Sequence, residues 1–168
     1  APYALINNAG IYPRTPFLEM DLAEWNQVLR VNLTGHFLCA QSIARHMVVS
    51  GRGAMVNTAS GRALEGAVRG CHYAATKAGI INLTKTLAQE LAPHGIRVNC
   101  LLPGVAETAQ PLADTTLEVL RARGKHIPLG RIGQPDDMAA VTSFLLGPDS
   151  GYMTGQTVAA NGGAIMVP

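Results

Sequence analysis

Charge is scarce in this chain. Asp, Glu, Lys and Arg make up 14% of its 168 residues, against about 25% in an average globular protein. A surface this poor in charge implies that much of it is covered, by more chain or by another subunit. The 13 basic residues are scattered, the closest cluster being Arg121, Arg123 and Lys125, and the formal net charge is +2. No basic stripe with interleaved aromatics exists, so nothing marks a nucleic-acid surface. Cysteine is short too: Cys39, Cys71 and Cys100 form an odd, widely spaced set. They do not make a disulfide framework, and they read as buried thiols in a reducing, cytoplasmic setting. No apolar run reaches the roughly 18 residues a membrane span needs. Metal ligation has no basis either, because His36 with Cys39, and Cys71 with His72, each lack a second pair. His46, His94 and His126 read as surface residues. A phosphate loop is missing as well. Gly61 to Gly66 has two-glycine spacing without the Lys and Ser/Thr that should follow, and Gly51-Arg52-Gly53 follows a helix rather than a strand.

What is present is a chain of one-domain size with 48% hydrophobic residues, enough for a buried core. Short apolar runs alternate with long amphipathic ones. Tyr3 to Asn7 reads as a strand stopping at Asn8-Ala9-Gly10. Asp21 is positioned to cap a long helix to about Val49, with Trp25, Val28 and Leu29, then Leu33, Phe37, Ala40, Ala44 and Met47 on its apolar face. Ala54 to Ala59 is the next strand and Cys71 to Leu91 the next helix, with Gly95 as the left-handed residue beyond it. Ile96 to Leu102 is a strand ended by Pro103-Gly104. Ala109 to Arg131 is irregular and holds a short helix, readable as a lid or as plain surface. Pro135 to Leu146 is a helix and Gln156 to Ala160 a last strand. This alternation predicts an α/β fold, a parallel sheet with helices on both faces. Chemistry in such sheets gathers at the carboxyl ends of the strands, where the Asn-Ala-Gly, Ala-Ser-Gly and Pro-Gly segments fall.

The sharpest chemical feature is Tyr73-Ala74-Ala75-Thr76-Lys77. Residues four apart share a helix face, so Lys77 brings an ammonium near the Tyr73 phenol. A nearby positive charge is expected to lower the phenol pKa and make it a usable proton donor and acceptor. Ser60 ends the preceding strand, thirteen positions earlier, where its hydroxyl can reach over the same helix or simply start the turn. Asn32 sits inside the first long helix, where an amide competes with helical hydrogen bonding, unless it merely faces solvent.

Taken in order, Asn7-Asn8-Ala9-Gly10, Val31-Asn32-Leu33-Thr34-Gly35, Asn57-Thr58-Ala59-Ser60, Tyr73 to Lys77, and Pro103-Gly104 with Thr108 resemble the short-chain dehydrogenase/reductase family. So do the run from Pro128 to Pro135, Thr154-Gly155-Gln156 and Gly162-Gly163. Asn161 stands where the family usually has Asp. The resemblance implies an oxidoreductase moving hydride between a nicotinamide, NAD or NADP, and a small carbonyl or alcohol substrate. It implies Tyr73 as general acid/base and Lys77 as the group that lowers its pKa and binds the nicotinamide ribose. It implies Ser60 as the holder of the substrate oxygen, and Asn32 as a helix kink that holds a water linking Lys77 to solvent. It further implies Asn8, Ala9 and Gly10 along the adenosine, Pro103, Gly104 and Thr108 at the nicotinamide end, and a homo-oligomer, dimer or tetramer.

The family's N-terminal Gly-rich cofactor loop is absent from these residues, and so is the residue that selects NAD or NADP. The expectation is therefore a partial doubly wound, Rossmann-like sheet, with residues 1–168 as its C-terminal catalytic portion. Roughly 60 to 90 residues of first βαβ units would be missing ahead of Ala1. The Tyr3 to Asn7 strand would then need its outer edge paired or covered. The 168 residues alone would be inactive. The alternative is a truncated, non-catalytic remnant serving as an oligomerisation or interaction module.

Overall fold

The computed structural model describes residues 2–166. Four parallel strands run in the order β1-β2-β3-β4: β1 Ala4–Asn7, β2 Gly53–Thr58, β3 Ile96–Pro103 and β4 Thr157–Ala160. The helices are α1 Leu22–Leu29, α2 Gly35–Ser50, α3 Arg62–Glu65, α4 Cys71–Leu91, α5 Ala109–Leu112, α6 Leu117–Gly124 and α7 Pro135–Leu146. The strand–helix alternation thus gives the parallel α/β sheet that the sequence predicts. No described helix is long and apolar enough to cross a membrane.

Strand alternation divides the core into two layers. Met55 and Val98 point to one face, where Ala40, Ala44 and Met47 of α2 and Ala88 of α4 pack on them. Their neighbours Val56 and Leu101 point to the other face, against Leu145, Met138 and Val141 of α7. The period of two along each strand therefore puts helices on both faces. Arg97 joins α7 to the sheet: its guanidinium donates to the carbonyls of Leu145 (3.0 Å) and Gly147 (2.9 Å) and to Ser150 Oγ (2.9 Å). A cation thus satisfies carbonyls that the helix end leaves free.

The expected single helix from Asp21 to about Val49 is two helices joined by a five-residue π-helical turn, Arg30–Thr34. Asp21 does cap its start, accepting from the Glu24 amide at 2.7 Å. The wide turn shifts the buried face. A strict helical period carries Leu33 into Phe37, yet Phe37 is exposed and the buried series runs Val28, Asn32, His36, Ala40, Ala44. A π-turn holds more residues per turn than an α-turn, so the buried positions step by four across it and fall on Asn32 and His36. The cysteine expectation also needs correction: Cys100 is buried, but Cys71 is half-buried and Cys39 exposed on α2. The irregular stretch after Thr108 holds two helices, α5 and α6, instead of one. Between them, Asp114 pairs with Arg14 at 2.8 Å, joining this segment to the loop after β1. Among described residues β1 pairs only with β2, and Ile6 on it is 52% exposed.

Candidate active site

The carboxyl ends of β1, β2 and β3 lead into the three segments that build the site. Ser60 follows β2. Tyr73 and Lys77 lie one turn apart on α4, which begins after a loop from that same strand. Asn32 occupies the π-turn. The structure brings Asn32 and Lys77 together at Gly10, which follows β1. A Cβ built on Gly10 would stand 3.4 Å from Asn32 Oδ1 and 3.7 Å from Lys77 Nζ.

Asn32 is fully buried, which removes the solvent-facing reading. Its Oδ1 accepts from the Ile11 amide at 2.8 Å and its Nδ2 donates to the Ile11 carbonyl at 2.9 Å. A longer contact, 3.4 Å, reaches Thr76 Oγ1, which itself donates to the Tyr73 carbonyl at 2.8 Å. The amide is thus engaged by the loop after β1. This is a clamp on backbone. The π-turn supplies the room for it, because the wide turn aims Asn32 inward without requiring its amide for the helix.

Lys77 is 3% exposed, and its Nζ donates to the Thr58 carbonyl at 2.7 Å. An ammonium has three donors, and this is the one protein hydrogen bond described for it. No carboxylate neutralises it among the described residues. Burial pulls its pKa down to about 8. A buried ammonium with spare donors is costly unless oxygen atoms reach it. Hydroxyls of a ribose would supply them. Asn8, Ala9 and Gly10 lie exposed at the end of β1, where the first could present its side chain and the others bare backbone. Gly104 approaches Asn161 so closely that a Cβ would lie 2.6 Å from its Cα, so that close approach needs glycine. Pro103 ends β3, and Thr108 is the exposed residue just before α5. The donor set and these bare segments fit a dinucleotide.

Tyr73 is 7% exposed. Burial raises its pKa above the ordinary tyrosine value, while Ser60 and Gln110 hydrogen-bonding to the phenol pull it back. The expected lowering by Lys77 does not dominate: the ammonium stands 5.6 Å from the ring centroid, and burial of the phenol decides the direction. Ser60 Oγ also accepts from the Arg62 amide at 3.3 Å, so the hydroxyl both starts the turn and faces the phenol.

Several participants carried no sequence motif. Tyr12 stacks on Tyr73, with ring centroids 4.0 Å apart and an interplanar angle of 13°. Gln110 of α5 reaches the phenol, so the segment after Thr108 faces the site. His36 is 3% exposed and its Nε2 has no hydrogen-bond partner; burial, with Lys77 nearby, holds its pKa down to about 4. His72, considered with Cys71 as a metal pair, instead meets Glu24 Oε1 at 2.9 Å through Nε2 and accepts the Tyr73 amide on Nδ1 at 2.7 Å. It ties the first turn of α4 to α1. A polar row, Asn7, Asn57, Cys100 and Thr157, crosses all four strands in register. Asn7 Nδ2 donates to Asn57 Oδ1 at 2.9 Å, and Asn57 Nδ2 donates to Thr84 Oγ1 at 3.0 Å.

A parallel α/β sheet with helices on both faces, and a Tyr/Lys pair and a serine at its carboxyl edge, places the chain among the doubly wound, Rossmann-like folds. The family described as enoyl-(acyl carrier protein) reductase matches residues 3–164, and the chain belongs to the short-chain dehydrogenase/reductase family. It is 43% identical over 159 residues to the 3-oxoacyl-[acyl-carrier-protein] reductase of Aquifex aeolicus, covering 95% of this chain and 64% of the relative. It is 41% identical over 167 residues to the (3R)-3-hydroxyacyl-CoA dehydrogenase of Mus musculus, covering 98% and 64%. Among solved structures, a gluconate 5-dehydrogenase from Burkholderia cenocepacia, in complex with NADP and tartrate, superposes with a TM-score of 0.91 at 36% identity, covering 97% of this chain and 64% of that one. A 3-oxoacyl-[acyl-carrier protein] reductase from Brucella melitensis superposes with a TM-score of 0.90 at 40% identity, covering 98% and 63%. The chain therefore spans about 64% of the length of the curated relatives it matches.

Proposed function

We propose that the whole protein transfers hydride between NAD or NADP and a small carbonyl or alcohol substrate, with Tyr73 as general acid/base. The observation that carries this reading is the Lys77 ammonium, buried beside Tyr73 and Gly10 with one protein hydrogen bond, to Thr58. Lys77 and Tyr73 would hold the nicotinamide ribose, with Asn8, Ala9 and Gly10 along the adenosine and Pro103, Gly104 and Thr108 at the other end. When bound, the nicotinamide supplies or accepts the hydride. Ser60 donates its hydroxyl hydrogen to the substrate oxygen and fixes its place. Tyr73 gives that oxygen its proton in reduction and removes it in oxidation.

Burial raises the Tyr73 pKa, so the phenol holds its proton at neutral pH. A phenol that keeps its proton at neutral pH is ready to donate, which suits carbonyl reduction. The relatives named for 3-oxoacyl and 3-hydroxyacyl thioesters make a 3-oxoacyl thioester the first substrate to assay. The exposed apolar side chains Leu38, Val49 and Leu18 suit burial between copies of the chain in a homo-oligomer.

The test is oxidation of NADH and of NADPH by the whole protein in the presence of that thioester. Turnover with either nucleotide, lost on Lys77→Met together with nucleotide binding, is the expected result. Nucleotide binding that is indifferent to Lys77→Met would overturn the reading.

A further inference from the structure

We propose that Tyr12 is a positioning residue for Tyr73: its ring lies flat on the Tyr73 ring and sets where the phenol stands relative to Ser60. This rests on the reading of Tyr73 as proton donor given above. The two rings are nearly parallel, 13° apart, with centroids 4.0 Å apart. Stacked aromatic pairs hold each other's ring planes and contribute beyond their buried area.

Tyr12 is itself held from several sides. Gly70, just before α4, is its seat: a Cβ there would lie 2.5 Å from Tyr12 Cε2 and 2.9 Å from its hydroxyl oxygen, so any side chain would push the ring away. The Arg14 guanidinium lies 5.0 Å from the Tyr12 ring centroid, and its Nε meets Asp114 at 2.8 Å. Arg69 donates to the Arg14 carbonyl at 3.2 Å, and it does so from a left-handed backbone, φ 59°. A non-glycine residue in that region costs energy and persists where its surroundings enforce it. These contacts pin the loop after β1 to both the α4 approach and the segment after Thr108.

The consequence for chemistry follows from geometry. A general acid works only within hydrogen-bond reach of the atom it protonates. Ser60 and Gln110 hydrogen-bond to the phenol, and Lys77 Nζ lies 5.6 Å from the ring centroid. Tyr12 is the ring stacked flat on it, 4.0 Å away between centroids, and the Lys77 ammonium lies over the ring at the longer distance. Removing Tyr12 frees the ring to tilt and admits water to its face. A misplacement of about 1 Å costs roughly 100-fold in rate.

The test labels the tyrosine ring carbons for NMR. The chain has 4 Tyr, and Tyr73→Phe assigns the signal of interest. Three variants are compared: Tyr12→Phe, Tyr12→Leu and Gly70→Ala. Tyr12→Phe keeps the stack, so the Tyr73 ring signal and kcat should stay close to the parent. Tyr12→Leu and Gly70→Ala should let Tyr73 titrate at lower pH, because water reaches the ring. In the whole protein both should lower kcat by about 100-fold while KM changes little. A Tyr12→Leu protein with the parent's titration and kcat would overturn the proposal. So would a Tyr12→Phe protein as impaired as Tyr12→Leu. If the titration moves as expected while Tyr73→Phe still turns over, the stack stands and the reading of Tyr73 as proton donor fails.

Discussion

Asn32 and Ile11 grip each other by two hydrogen bonds, 2.8 Å from the Ile11 amide to Oδ1 and 2.9 Å from Nδ2 to the Ile11 carbonyl. A side-chain amide thus does for the loop after β1 what a neighbouring strand would do. It fixes Gly10 and Tyr12 on either side of Ile11, next to Lys77 and Tyr73 respectively. Asn32→Ala leaves both Ile11 groups without these partners at a part-buried site. The expected loss is about 3 kcal/mol of stability, since each orphaned group costs roughly 1–3 kcal/mol. Urea unfolding measures it; an unchanged midpoint would contradict the clamp.

Lys77 has a folded pKa of about 8 against 10.5 for the free side chain, burial being the first cause. Between those pH values the unfolded chain holds the proton that the folded chain has released. Stability contributed by this group therefore rises with pH across that window and is lowest below pH 8. Lys77→Met removes the buried charge but also the bond to the Thr58 carbonyl. The net expectation is a gain on the order of 2 kcal/mol at pH 7 that fades by pH ~10, with turnover abolished. Urea midpoints at the two pH values test it, and a variant less stable than the parent at pH 7 would contradict it.

His36 behaves in the same sense at acid pH. Its folded pKa is about 4 against 6.5, lowered by burial and then by Lys77. As pH falls below 6.5 the unfolded chain takes up the proton first, so stability is lost down to pH 4. At pH ~5 the loss should be about 2 kcal/mol relative to neutral pH. His36→Gln should show a flatter dependence over this range. Equal slopes in parent and variant would assign the acid sensitivity elsewhere.

The elements that packing dictates were legible in the residues. Cys71–Leu91 and Pro135–Leu146 fall as helices with the bounds expected from periodicity and caps, and the strands shift by a residue or so at their ends. The failures share one cause, local backbone that follows no simple period. Asn32 within Arg30-Val31-Asn32-Leu33-Thr34 marks a place where helical bonding is disturbed, and the resemblance implies a kink there, but its π form depends on the tertiary grip on Ile11 rather than on propensity. Phe37 and His36 consequently exchange places, one out and one in. At the site, Tyr73 and Lys77 stand out by their four-residue spacing, Ser60 by its place at a strand end and Asn32 as an amide inside a helix. Tyr12 and Gln110 do not, because they arrive from loops whose path the sequence leaves open. The phenol's pKa runs opposite to the expected direction for a related reason. Helical spacing places the lysine near it, but only the packed structure shows how deeply the phenol is buried.

Arg97 offers a check on how α7 is held. Arg97→Met removes the guanidinium bonds to the Leu145 and Gly147 carbonyls and to Ser150. About 3 kcal/mol of stability should be lost, given roughly 1.5–3 kcal/mol for hydrogen bonds to charged groups. Amide hydrogen exchange should show the α7 end opening first. Uniform loss of protection across the sheet would contradict a local anchor.

Tyr73→Phe is the most direct measurement. It removes one oxygen and keeps the ring against Tyr12. In the whole protein, reduction of a 3-oxoacyl thioester by the preferred nucleotide should fall by about 10²–10⁴-fold, the span general acid catalysis contributes. Nucleotide affinity should weaken far less, and the thermal midpoint should stay within a few degrees. A Tyr73→Phe protein that reduces the thioester at the parent rate would contradict the assignment of Tyr73 as the proton donor.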